Sequence, residues 1–556
     1  MRIRLEPHFC NFRKTKGIYP FFLILAVIVS CTGGKNNAVK PPLMGWSSWN
    51  AYTVNISDSL IRRQADLLVE RGLKDAGYTN VNIDDGFFGY RDERGYMIPH
   101  PARFPGGSEQ MRSLSDYIHS LGFKAGIYSD AGDNTCGALS KNLRDTNGIG
   151  AGLWMHDVQD ADQYFNNWNF DFIKIDYCGG FHLHLDEQER YERIRHVIDS
   201  VAGRHIDINI CRWDFPGTWA EKIADSWRMS GDIRPVWSSV ASIVRRNLYL
   251  SAYARDGHYN DMDMLALGYS IKPSPFFWEK GLGLSHTEEE AHFGMWCIMS
   301  SPLLLGCDVE YIPDETMRII TNPELIAVNQ DPLGLQAHVV QHEGETYVFA
   351  KDVLRRHGRE RAVALYNPSD TTAPFSVPAQ VLEFNGHMKL RDLNLRSDLA
   401  SCDTIEMTLP PHTAKILRVE GKRIEPVLYE AEWGYCPDFT DIRGTGVKYV
   451  PVEEASGRAA AMNLGGSETN RLEWSDVFSR RGGKYSMAVL ISSPEAVDFD
   501  LVVNGETHHA SVAATDSAFA EIPFDVELRK GENKIRISGV TSPKAAFDCI
   551  RMARRK

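Results

Sequence analysis

From about Pro41 to Leu335 the chain repeats one pattern: a short apolar run, then an amphipathic stretch, then another short apolar run. The apolar runs include Asn80–Asp84, Lys124–Tyr128, Asp171–Asp176, His205–Ile210 and Pro302–Leu305. Between them lie stretches of helical period at Ser57–Lys74, Glu109–Leu121, Gln159–Trp168, Glu187–Val201, Ser238–Tyr253 and Thr287–Met299. Strand and helix alternating over roughly 290 residues predict an α/β fold, a (β/α)8 TIM barrel, whose usual size is about 250 residues. Ser57 and Thr287, the latter with Glu290 three residues on, read as helix starts. After Leu335 the pattern becomes short alternating segments with turn residues between them. That predicts an antiparallel β-sandwich domain over residues 336–420 and, past the hinge Glu420–Glu425, a second all-β unit over residues 427–556.

At the front of the chain Arg13, Lys14 and Lys16 precede the apolar run Phe21–Val29 and then Ser30-Cys31. Nine apolar residues are too few to span a bilayer but suit the core of a signal peptide, so residues 1–31 read as a leader. Ile28-Val29-Ser30-Cys31 resembles a bacterial lipobox, which would make Cys31 the lipidated first residue. The other reading is an ordinary cleavable signal with an incidental cysteine. Either predicts an exported protein, periplasmic or at the cell surface of a bacterium, with membrane contact only through a lipid on Cys31. The net charge of −12 carries no basic stretch outside the leader and the last three residues, which excludes nucleic acid as a partner.

A barrel of this kind builds its site at the C-terminal ends of its strands. Here run after run ends in an acid: Asp84 and Asp85, Asp130, Asp176, Asp214, Asp232, and Asp261 with Asp263. One such Asp could be a helix cap or turn former. So many at one rim repel one another unless a ligand or a metal uses them. In Lys174-Ile-Asp176-Tyr-Cys178, alternation turns Lys174, Asp176 and Cys178 to one face, the barrel interior near its mouth. A lysine there should hold Asp176 ionised, as a nucleophile requires. The partner acid should lie in Trp227–Asp232, since glycosidases use one ionised and one protonated carboxyl.

Met44-Gly-Trp-Ser-Ser-Trp49, Asn82-Ile-Asp-Asp85, Gly126–Asp130 with Asn134-Thr-Cys136, Lys174-Ile-Asp176, Arg228–Asp232, Asn260–Met264 and Ser285–Cys307 together resemble the ordered motifs of glycoside hydrolase family 27 over residues 41–420. The family contains α-galactosidases and α-N-acetylgalactosaminidases. The resemblance implies a retaining exo-hydrolase releasing terminal α-galactose from a galactose-containing glycan, without a catalytic cofactor. It implies Asp176 as nucleophile and Asp232 as acid/base, with Trp49, Asp84, Asp85, Tyr128, Lys174, Arg228 and Asp263 around the sugar and a Cys136–Cys178 disulfide tying two loops. Three positions depart from the pattern. Arg212 stands where a Glu usually reads the 2-hydroxyl, and Gly86 and Ala224 replace cysteines, which leaves Cys211 without its usual partner. An arginine donates but cannot accept. Arg212 is therefore expected at the pocket edge near C2, held by a carboxylate such as Asp214; the other reading turns it outward into a surface ion pair. The same chemistry on α-N-acetylgalactosaminides or β-L-arabinopyranosides is a second reading, and a non-catalytic surface glycan binder a third.

The last unit opens with Tyr429-Glu-Ala-Glu432 and closes with Ala546-Phe-Asp548-Cys-Ile550, similar to carbohydrate-binding modules of families 6 and 35. That resemblance implies a jelly-roll β-sandwich in which Glu430, Glu432 and Asp548 help hold a structural Ca2+.

Overall fold

The computed structural model describes residues 39–269, 282–440, 446–515 and 518–555. The expected leader and its Cys31 lie outside the described residues. No helix among those described is long and apolar enough to cross a membrane.

Eight strands form one all-parallel sheet: β1 (Met44–Ser47), β2 (Asn80–Asn82), β3 (Lys124–Asp130), β4 (Phe172–Asp176), β5 (Asp207–Cys211), β6 (Ser226–Arg228), β7 (Tyr259–Asp261) and β8 (Leu303–Leu305). Their spatial order is β8-β1-β2-β3-β4-β5-β6-β7. Just past β7, Leu265 bridges to Leu305, and its N–H donates to Leu304 O at 2.7 Å, which joins the two edges and closes the barrel. Central strands of the β-branched and aliphatic type, such as Ile208-Asn-Ile210, are buried on both faces, as a helix-covered parallel sheet demands.

The helices between strands keep their places, with shifted ends. The segment expected as a helix over Gln159–Trp168 starts earlier as Asp157–Ala161 and widens into a π-turn over Asp162–Asn167, which lets Trp168 stack on Tyr164 at 5.2 Å. The stretch expected over Ser238–Tyr253 ends as a helix at Arg246 (Trp237–Arg246). Asn247 is fully buried there, accepting from Gln336 at 3.1 Å and donating to Met299 Sδ at 3.7 Å, so the chain turns inward. Ser57 caps its helix as expected, accepting from Leu60 N–H at 3.3 Å. Thr287 does not: the helix is His286–Ile298, capped by Ser285, which exchanges hydrogen bonds with Glu288 in a capping box. Thr287 is already inside the first turn.

Residues His338–Glu420 form a six-stranded antiparallel sheet and a two-stranded one over their own apolar core, with Phe375, Phe384 and Leu417 inside. The remaining strands, Leu428–Glu430 through Ala546–Arg554, make a six-stranded and a four-stranded sheet. These two face each other across Phe499, whose ring lies 6.1 Å from Phe524 and 5.5 Å from Phe547 of the opposite sheet.

Candidate active site

At the C-terminal mouth of the barrel lies a cavity of about 360 Å³. Its walls come from different strand ends: Trp49 after β1, Lys174 and Asp176 on β4, Cys211 ending β5, Arg228 ending β6, Asp232 beyond it, and Asp263 with Met264 after β7. A narrower recess below it reaches Asp84. The size suits one hexose ring held by a few convergent polar groups.

Asp176 is buried and tightly framed. Its Oδ2 accepts from the Tyr128 hydroxyl at 2.9 Å. Its Oδ1 has no hydrogen-bond partner among the described residues, only the Lys174 ammonium at 3.8 Å. That is one oxygen positioned and one available. Burial pushes the Asp176 carboxyl above its ordinary range, and Lys174, the Cys211 thiol and Tyr128 pull in the opposite direction. The lysine therefore acts in the expected sense, yet burial outweighs it. Lys174 itself loses stability as a cation through burial, but Asp176 and Asp84 more than offset this and keep it charged. Its shortest ion pair, 3.0 Å, is to Asp84 Oδ2. Asp84 in turn is fixed by the backbone: its Oδ1 accepts from Asp85 N–H at 2.9 Å, and its own N–H donates to Ser48 Oγ at 2.9 Å.

Asp232 has a different setting. Its side chain is 47% exposed and its Oδ1 meets Arg228 Nη2 at 3.0 Å. The same guanidinium reaches Asp263 Oδ2 at 3.0 Å and Ser230 O at 3.2 Å. Asp263 is held in a left-handed conformation, φ 75°, with Oδ1 accepting from Met264 N–H and Oδ2 from Ile233 N–H. Burial lifts it to about 6 despite Arg228. One arginine thus bridges the strand-6 loop and the strand-7 loop, and orients both carboxylates.

Five sequence expectations are resolved by geometry. Cys136 and Cys178 are bonded, with Cα atoms 5.2 Å apart, tying the loop after β3 to the helix Cys178–His182 after β4. Cys178 reaches the cavity from that helix, since the strand ends at Asp176. Cys211 is a free, buried thiol, 3.7 Å from Arg228 Nη1. Asp85 lies behind the cavity, not in its wall: it is wholly buried, and its oxygens accept from Gly86 N–H at 2.7 Å and Gly137 N–H at 2.9 Å. Burial raises it to about 7. Tyr128 is likewise fully buried and supports the site from behind: its hydroxyl donates to Asp176 and accepts from Cys136 N–H at 3.3 Å, and the Lys174 ammonium lies 5.3 Å from its ring centre.

Arg212 departs most from expectation. It is absent from the cavity wall, and its Nε donates to Glu187 Oε2 at 3.1 Å. Asp214, the anticipated partner, pairs with Arg246 instead. The residue that lines the cavity from this loop is Trp213, which matches the Trp of the family's Cys-Glu-Trp motif at Cys211-Arg212-Trp213 but to which the resemblance assigns no role in the site. Its signal was available, since it follows a strand end as Trp49 does. Asp130 and Asp261 complete the rim as buried ties: Asp130 accepts from Gly132 and Gly179 N–H, and Asp261 from Asn209 Nδ2.

The family model described as alpha galactosidase A matches residues 41–331. Alpha-galactosidase 3 of Arabidopsis thaliana is 38% identical over 371 residues, which is 66% of this chain and 78% of the relative. Alpha-galactosidase A of Cellvibrio japonicus is 35% identical over 364 residues, 63% of this chain and 82% of that protein. Among solved structures, alpha-galactosidase I from Mortierella vinacea matches with a TM-score of 0.60 and 29% identity, over 70% of this chain and 99% of the other. A barrel with this rim of acids, matched by the family model over its full span, makes the chain a member of the alpha galactosidase A family, within glycoside hydrolase family 27.

Proposed function

We propose that this protein is an α-galactosidase that works with retention of configuration, Asp176 being the nucleophile and Asp232 the acid/base. The observation carrying this reading is the contrast between the two carboxyls on one cavity: Asp176 buried with a single free oxygen, Asp232 half exposed on an arginine. In the first step Asp176 Oδ1 forms a bond to C1 while the glycosidic C–O bond breaks and Asp232 gives its proton to the departing oxygen. In the second, Asp232 takes a proton from water, whose oxygen bonds to C1 and releases Asp176. Tyr128 and Lys174 hold Asp176 in place throughout, so little reorganisation accompanies the charge change. Asp84, paired with Lys174 in the recess, is a partner for the hydroxymethyl group that separates galactose from arabinopyranose.

Asp176→Ala should reduce turnover of nitrophenyl α-galactoside by at least about 10³-fold, with azide restoring part of it as the β-galactosyl product. Asp232→Ala should spare this activated substrate far more than natural galactosides in the first step. More than about a tenth of wild-type activity in Asp176→Ala would remove it from the nucleophile's role. If nitrophenyl α-N-acetylgalactosaminide or β-L-arabinopyranoside is turned over faster than the galactoside by wild type, the sugar assignment fails and the catalytic one stands.

A second part of the proposal concerns Ca2+ in the C-terminal module. Glu430 Oε2 and Asp548 Oδ1 lie 2.6 and 2.9 Å from the one Ser456 hydroxyl, which has a single proton to give. Both Glu432 oxygens are buried with no hydrogen-bond partner among the described residues. Burial raises Glu430 to about 8 and pushes Glu432 well above the ordinary carboxylate range. Asp548 Oδ1 also accepts from Ser456 N–H at 2.9 Å, so the unmet demand falls on Glu432 and on the shared hydroxyl; buried carboxyls crowded in this way fit a hard, oxygen-ligated cation, which would supply the compensating charge. Millimolar Ca2+ should raise the melting temperature, EGTA should reverse this, and Glu432→Gln should abolish the response. Melting indifferent to Ca2+ in the wild type sinks this part.

A further inference from the structure

The loop that brings Trp213 to the cavity leaves β5 at Cys211 and runs to a single helical turn at Thr218–Lys222. Two residues after Trp213, Phe215 is completely buried. Its ring is flanked by Trp227 at 6.3 Å and Tyr253 at 5.3 Å from the barrel, and by Phe439 at 5.3 Å from the C-terminal module. Phe439 also stacks on Tyr253 at 4.8 Å and meets Tyr449 at 5.4 Å. Polar bonds fix the same contact. Thr218 N–H donates to Phe439 O at 3.3 Å, the Thr218 hydroxyl to Pro437 O, and Cys436 N–H to the Tyr253 hydroxyl at 3.2 Å. At Gly217, φ 113°, an added Cβ would lie 3.1 Å from the Trp219 ring and 3.2 Å from the Thr440 Cβ, so loop and module are in close contact there. The module is thus built into the back of an active-site loop.

We propose that Phe439 is a positioning residue for the active site: by filling the space behind Phe215 it holds the loop so that Trp213 stands in the cavity wall. This rests on the reading of that cavity as the glycoside site. A module reached only through a hinge would have no reason to place an aromatic ring and two hydrogen-bond acceptors for Thr218 against a strand-end loop. The front of the loop is secured separately, by Arg212 on Glu187 and with its guanidinium 5.9 Å from the Trp213 ring centre. Removing the brace from behind frees the loop but leaves Asp176 and Asp232 untouched, so binding suffers and chemistry does not.

The test uses the full chain with Phe439→Ala, Phe439→Leu, Trp213→Ala and the double variant Phe439→Ala/Trp213→Ala. On nitrophenyl α-galactoside, Phe439→Ala should raise KM about five-fold with kcat within about two-fold, and Phe439→Leu should fall between it and wild type. The double variant should be no worse than Trp213→Ala alone, because both changes act through one side chain. Hydrogen exchange of the 212–219 amides should be at least about ten-fold faster in Phe439→Ala. An unchanged KM in folded Phe439→Ala, or losses that multiply fully in the double variant, overturns the proposal. So does unchanged exchange, which needs no substrate: if wild type cleaves no α-galactoside, the glycoside reading fails by itself and exchange still decides the brace. Should Phe439→Ala not fold, Phe439→Leu against wild type decides by the same exchange measurement.

Discussion

Arg212 and Trp213 are adjacent in sequence and part company in space: one binds Glu187 outside the cavity, the other lines it. A guanidinium needs a carboxylate, and Glu187 at the start of its helix supplies one, while Asp214 is paired with Arg246. The expectation that Arg212 reads the sugar's 2-substituent therefore loses its geometric basis. Arg212→Ala should change kcat/KM for nitrophenyl α-galactoside and α-N-acetylgalactosaminide alike, leaving their ratio within about two-fold. A ratio narrowed well beyond that, measured on the purified variants, would return Arg212 to the pocket. Such side-chain choices are decided by partners far away in sequence, and periodicity carries no trace of them.

At the scale of elements, the helix His286–Ile298 between β7 and β8 shows how two equal local signals are separated. Ser285-x-x-Glu288 and Thr287-x-x-Glu290 both satisfy the helix-start pattern. The structure selects the first, because Glu288 and Glu289 then sit in the first turn with outside partners. Glu288 meets His412 at 2.7 Å, and Glu289 accepts from Gly268 N–H at 2.8 Å and the Thr316 hydroxyl at 2.6 Å. Ser285→Ala should cost about 1 kcal/mol in chemical denaturation and Thr287→Ala about 0.5 or less. The reverse order would mean that the helix begins two residues later in solution. Gly86 belongs to the same scale: with φ 112° and Val54 O only 2.4 Å from where a Cβ would lie, the position no longer admits a cysteine. That accounts physically for one of the lost disulfides.

For the whole molecule, buried titrating groups set how stability varies with pH. Burial raises Asp85 to about 7 and Asp130 to about 8. Unfolded, both titrate near ~4, so the folded state binds more protons between. Their stabilising contribution is full below about 4 and is lost as pH rises through 7 to 8. His292 and His338 run the other way: burial pulls them to about 3, so their contribution is present above ~6.5 and is lost toward acid. The two trends offset each other between ~4 and ~6.5 and leave a decline above. The melting temperature should fall from pH 6.5 to 8, and Asp130→Asn should flatten that fall; parallel curves for the two proteins would remove Asp130 from the account.

What the sequence determined alone was whatever depends on order and period: a barrel over the first three hundred residues, β-units after it, and acids at strand ends. Lys174 and Asp176 reached one cavity because strand alternation is fixed by backbone geometry. What tertiary structure decided was the use of each polar group. Asp84 and Asp85 are neighbours, yet one faces Lys174 in the recess and the other serves two backbone amides. Trp213 was legible as an aromatic after a strand and as the Trp of a family motif, and its support from Phe439, some two hundred residues on, was not legible at all. A buried group must satisfy its charge or fill its space with whatever the fold brings near, and that neighbour is set by packing across the whole molecule rather than by the residues on either side.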